Sequence, residues 1–169
     1  MRRWLGFPNP VNETSARFVA AGAVAQGIVY LATHQWWVLL PLTYGFLARV
    51  LTGPRLSPLG AFVTHVVTPA ISRRFPGYQH RFVAGSPKRF AQGVGLAFSG
   101  GALAATAAGA PGVATVLIAG LVIAATLEAV FAFCLGCVVF QQLMRIGVIP
   151  ESICLECADI SQRLAAATR

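Results

Sequence analysis

Four cysteines form two couples, Cys134-Leu135-Gly136-Cys137 and Cys154-Leu155-Glu156-Cys157, with sixteen residues between them. A C-x2-C-x16-C-x2-C spacing suits four thiolates around one tetrahedral zinc. It equally suits a thiol-redox site in which either couple passes electrons or sulfur to a soluble partner. A third reading leaves Cys134 and Cys137 as small buried residues and Cys154 and Cys157 as incidental. Position bears on all three. If one helix ran unbroken from Gly112 to Met144, its roughly 33 residues would measure about 50 Å. Cys134 would then fall near the inner edge of a hydrocarbon layer only about 30 Å thick. Cysteines three apart share a helix face, but a mid-helix pair lacks the unpaired amides that lower a thiol pKa at a helix start. A break at Gly136 would restore them.

Glu128 is the one carboxylate inside an apolar stretch, and the cost of burying it makes it a functional candidate with an expected cationic partner. Arg49 is the first candidate, Arg17 or Arg89 the next. Six residues from Cys134, Glu128 falls on another face of a regular helix, so a packing ion pair is expected rather than a proton donor. Gln26 and Gln92 suit polar links between helices.

The elements that must hold these groups are apolar. Hydrophobic residues make up 56% of the 169 and charged ones 11%, with a mean hydropathy of +0.69. That composition disfavours a soluble enzyme and excludes disorder. The 13 Lys and Arg against 5 Asp and Glu cluster between apolar runs, which points to a lipid bilayer and not to nucleic acid. Four runs stand out: Phe18 to Thr33, with Thr14 or Ser15 able to cap it; Trp36 to Leu51, which Pro41 should kink; Phe90 to Ala108, opened by Ser86-Pro87; and Val113 to Phe140. A crossing needs roughly 20 residues, so the first two are marginal. The expected fold is all-α: an integral membrane protein with four transmembrane helices in two helical hairpins, joined by an interfacial cytoplasmic loop. Residues 1–13 form the N-terminus, 14–144 the membrane domain with its central loop at about 53–87, and 145–169 a tail carrying the second C-x2-C. The competing architecture is a hydrophobic soluble bundle.

Every Lys and Arg falls before the first run, at or between the second and third, or after the fourth. The turns at His34-Gln35 and Gly109 to Gly112 carry none, so both termini and the central loop are expected in the cytoplasm of a multi-pass inner-membrane protein. Arg2-Arg3 could instead open an export signal, but no secreted domain follows. Arg17-Phe18-Val19-Ala20 and Arg89-Phe90-Ala91-Gln92 open similar small-residue helices, as a duplicated hairpin would. Gly101, Ala105 and Gly109 repeat at four-residue spacing, which allows close helix packing or a homo-oligomer. In the central loop, Leu59, Phe62, Val63, Val66 and Val67 recur at helical spacing, so Pro58 to Thr68 reads as an interfacial helix, with Arg73, Arg74 and Arg81 facing headgroups. His34, His65 and His80 have no ligand pattern near them. A transporter is disfavoured by the single intramembrane acid.

Gly53-Pro54-Arg55-Leu56-Ser57-Pro58-Leu59, Pro87-Lys88-Arg89-Phe90-Ala91-Gln92, and Glu128 followed by Phe133-Cys134-Leu135-Gly136-Cys137 resemble the bacterial membrane proteins grouped as domain of unknown function 4395. The likeness covers most of Arg17 to Gln142. It implies a small multi-helix inner-membrane protein in the company of thioredoxin-like and sulfur-transfer proteins, which tips the balance toward thiol chemistry. The family pattern stops near Cys137, so the Cys154-Cys157 tail departs from it. The expected function is therefore thiol redox or sulfur relay at the cytoplasmic face, through Cys134 and Cys137, with Cys154 and Cys157 resolving the couple or completing a metal site. The alternative is a non-enzymatic accessory subunit of a larger membrane complex, stapled by zinc.

Overall fold

The computed structural model describes residues 9–75 and 81–150. It is helical apart from one two-stranded clip, β1 (Val11–Asn12) antiparallel to β2 (Phe82–Val83), in the register Val11 to Val83 and Asn12 to Phe82. The clip ties the start of α1 (Glu13–Thr33) to the start of α5 (Gly85–Ala107). Asn12 caps α1 by accepting the amides of Thr14 at 2.9 Å and Ser15 at 3.3 Å. Thr14 and Ser15 thus lie inside the first turn and do not cap it. The cap of α5 is also not the expected one: its side-chain acceptor for the Gly85 amide is Asn9 Oδ1, at 2.9 Å, from across the clip. Ser86 lies within the helix.

The second run divides into a 3₁₀ turn (Trp36–Val38) and α2 (Leu39–Thr52). Pro41 does not kink this helix mid-span. It falls in the first turn, where a missing N–H removes no intrahelical bond. The central loop holds α3 (Pro58–Phe62), a π-helical turn (Val63–Val67) and α4 (Thr68–Arg74). Pro69 explains the wide turn: its ring would meet the His65 carbonyl in a regular helix, and one extra residue per turn relieves that clash. Helix therefore runs beyond the Thr68 limit expected from the apolar spacing.

The fourth run is not one helix. It forms α6 (Pro111–Phe131) and α7 (Leu135–Arg145), separated at Ala132 to Cys134. Three helices, α1, α5 and α6, are long and apolar enough to cross a membrane, and Trp36–Thr52 is a shorter apolar helix. α1 lies along α6, α2 along α5, and α5 along α6, while α1 and α2 touch only lightly. The two halves interleave, and only α5 and α6 form a closely packed hairpin. Small residues make the approaches close: a side chain at Gly27 would meet Val122, and one at Gly95 would meet Phe46. The core contains Tyr30, Leu39, Leu42, Phe46, Ala102 and Ile118. The outward faces stay apolar, with Val116 71% and Ile123 62% exposed. A water-facing helix would carry polar groups there.

Candidate functional site: a dithiol at the α6–α7 corner

The corner is built by satisfying the end of α6. Its last carbonyls need donors from outside the helix. Ala132 turns left-handed (φ 56°), so that its amide reaches the Glu128 carbonyl at 3.1 Å and the Phe133 amide reaches that of Leu127 at 3.1 Å. Arg17 of α1 supplies the rest, Nε donating to the Ala129 carbonyl at 3.0 Å and Nη2 to that of Val130 at 2.8 Å. A cation at a helix C-terminus also complements the macrodipole. With α6 closed, the chain extends through Cys134 and starts α7.

Cys134 is the N-cap of α7, and its Sγ accepts the Cys137 amide at 3.4 Å. The break expected at Gly136 thus falls earlier, and it does place the couple on the unpaired amides of a helix start. Gly136 has a different task. A Cβ there would sit 2.7 Å from the Ala91 Cα and 2.6 Å from its Cβ, so glycine lets α7 lie directly on α5. Phe140 then packs with Phe90, ring centroids 5.6 Å apart, and holds the amphipathic α7 in place.

Cys134 is buried and Cys137 half-buried, and neither is in a disulfide. Their sulfurs share a hydrogen bond, the Cys134 thiol donating to Cys137. That bond, with the positive charge of Lys88, holds Cys137 below the usual thiol range. The same bond pushes Cys134 up, aided by burial and by the negative charge of Glu128. The couple gives up its first proton easily and its second with difficulty. Lys88 and Glu128 form a buried ion pair, their side chains 8% and 13% exposed. Lys88, missed by sequence reasoning, is the partner of Glu128, in place of Arg49, Arg17 or Arg89. Its place immediately before Arg89, opening α5, was the available signal. A cavity of about 280 Å³ bounded by Glu13, Lys88, Phe133, Cys134, Cys137 and Gln141 gives access to the couple.

Arg49 is spent elsewhere: Nε donates to Gln92 Oε1 at 2.7 Å, Nη1 to Ser57 Oγ at 3.2 Å, and the guanidinium lies 4.5 Å from the Phe46 ring centroid. Arg89 donates to the Val50 carbonyl at 3.0 Å, closing α2 as Arg17 closes α6. Gln92 links α5 to α2, whereas Gln26 bonds within its own helix to the Gly22 carbonyl at 3.2 Å and, among the described residues, makes no hydrogen bond to another helix. His34 ends α1 beside Tyr30, and His65 is exposed. Cys154, Cys157 and His80 lie outside the described residues. Among the described residues no three His, Cys, Asp or Glu gather as a metal site would require.

Fold and site together define a small helical protein of membrane-spanning character with a dithiol capping a short helix at one end of its bundle. Residues 11–145 match the model of a family described as domain of unknown function DUF4395, and the chain belongs to that family. The matched span takes in the whole corner and ends with α7. Neither the curated proteins nor the solved structures contain a match.

Proposed function

We propose that the chain is a thiol–disulfide exchange protein of the inner membrane whose working groups are Cys137 and Cys134. The observation that carries this reading is the Cys134 cap on α7, hydrogen-bonded to Cys137 beside the buried Lys88–Glu128 pair. Residues three apart in a first helical turn also have the Cα separation a disulfide accepts. Cys137, half-buried and the readier to ionise, attacks one sulfur of a partner's disulfide. The partner's S–S bond breaks, a mixed disulfide forms, and the first partner thiolate leaves. Cys134 gives up its proton and attacks the Cys137 sulfur, releasing the second partner thiolate. The chain loses two electrons and two protons, and the partner gains both. A thioredoxin-like or sulfur-transfer protein has the chemistry to be that partner.

Four crossings by α1, Trp36–Thr52, α5 and α6 would put both termini and the dithiol on the cytoplasmic side, as a multi-pass protein. Support comes from Arg17, Arg49, Lys88 and Arg89, all gathered at the helix ends that flank the corner.

The test uses the full chain with Cys154 and Cys157 changed to Ser. Oxidised glutathione should remove two hydrogens from the intact mass, reversibly with dithiothreitol, and Cys134→Ser should trap a glutathione adduct on Cys137. An unchanged mass, or a natural chain holding one zinc through four cysteines and indifferent to both reagents, would overturn the proposal in favour of a zinc-stapled accessory subunit.

A further inference from the structure

Arg49 is 5% exposed, and its contacts are all neutral: an amide oxygen, a hydroxyl and an aromatic ring. Among the described residues no carboxylate lies within ion-pair distance of it, and the charge of neighbouring Lys88 is already met by Glu128. A buried charge held only by dipoles is expensive to keep, and at membrane depth such a residue is a binding-site candidate by default. Arg49 also faces space. A cavity of about 250 Å³ opens beside it, lined by Arg49, Lys88 and Gln92 together with apolar groups including Val19 and Phe82. No acidic side chain lines this cavity.

We propose that the cavity binds a phosphate group carrying an apolar substituent, with Arg49 as its counter-ion. A guanidinium presents two parallel donors to a phosphate, and Nη2 is the Arg49 nitrogen that the Gln92 and Ser57 bonds do not use. The apolar groups in the lining suit the substituent. The headgroup of an anionic lipid and a soluble organic phosphate share this chemistry. The inference does not use the thiol reaction: neither Cys134 nor Cys137 lines this cavity, and Arg49 meets Cys134 only across a separate cavity of about 90 Å³ that Glu128 also borders.

The experiment measures thermal unfolding of the full chain in nanodiscs of phosphatidylglycerol or phosphatidylcholine, and separately in phosphatidylcholine with phenyl phosphate added. A midpoint several degrees higher in phosphatidylglycerol assigns the site to lipid, and a rise with phenyl phosphate assigns it to a soluble ligand. Arg49→Gln should abolish the rise. Should that variant fail to fold, Ala16→Leu fills the cavity without touching the Arg49 bonds and should abolish it too. Equal midpoints under all conditions, or a rise that survives Ala16→Leu, would overturn the proposal. Glutathione oxidation of the dithiol should be unaffected by Ala16→Leu, which separates failure here from failure of the exchange reading.

Discussion

Lys88 and Glu128 are nearly buried, and removing one leaves the other charge stranded in a low-dielectric interior. Glu128→Leu alone should therefore cost about 3–5 kcal/mol of stability, while adding Lys88→Met should recover most of it, because both charges then go together. Chemical unfolding of the three proteins in one detergent reads this directly. The thiols give a second prediction at this scale. Cys137 is held low first by the Cys134 hydrogen bond and then by Lys88. Cys134→Ala removes the larger cause, so the midpoint of Cys137 alkylation against pH should move upward, and the rate at pH 7 should fall. A midpoint that stays put would mean that Lys88 alone sets the thiolate. In the sequence, Glu128 and Arg49 were recognisable as costly residues, because any charge within an apolar run is. Their partners were not, because pairing depends on which helices lie side by side: α6 faces Lys88 of α5, and α2 faces Gln92 of the same helix.

Helix existence was legible from apolar runs, but the decisive break at Ala132 was not. Ala-Phe-Cys contains no glycine or proline, and the local sequence favours continuing. What ends α6 is distant, the two Arg17 bonds reaching across from α1. Ala132 accepts a left-handed conformation, strained for any residue with a Cβ, to complete that closure. Ala132→Gly should accordingly stabilise the protein by about 1 kcal/mol, the strain relieved less the added chain entropy. Gly136→Ala should act in the opposite sense. Its new methyl meets the Ala91 backbone of α5, which cannot move aside. Overpacking of this kind costs about 1–3 kcal/mol, and it lifts the α7 start that holds the couple. Thermal unfolding should rank the three proteins Ala132→Gly, natural, Gly136→Ala, and only Gly136→Ala should slow glutathione adduct formation in the Cys134→Ser background.

Across the whole molecule, the two matching helix openings at Arg17 and Arg89 become reciprocal closures, each capping the second helix of the other half. Each second helix ends on a positive-φ residue, Gly53 or Ala132, and each is followed by a new helix whose cap is a side chain, Ser57 or Cys134. Ser57 accepts the Gly60 amide three residues on, as Cys134 accepts that of Cys137. One corner thus carries a hydroxyl beside Arg49, and the other carries thiols beside Glu128. The dithiol therefore occupies one of two corners built on the same capping pattern. Both corners share the basic end of the bundle, opposite the α5–α6 turn, so the proposed topology places the dithiol on the cytoplasmic side. With Cys154 and Cys157 changed to Ser, an impermeant maleimide applied to intact cells should leave Cys137 unlabelled until the membrane is opened. In a background without the native cysteines, Gly112→Cys, at an open position in the first turn of α6 at the opposite end, should label from outside without permeabilisation. Labelling in the reverse order would invert the topology and put the dithiol in an oxidising compartment, where exchange would run toward forming disulfides in secreted partners.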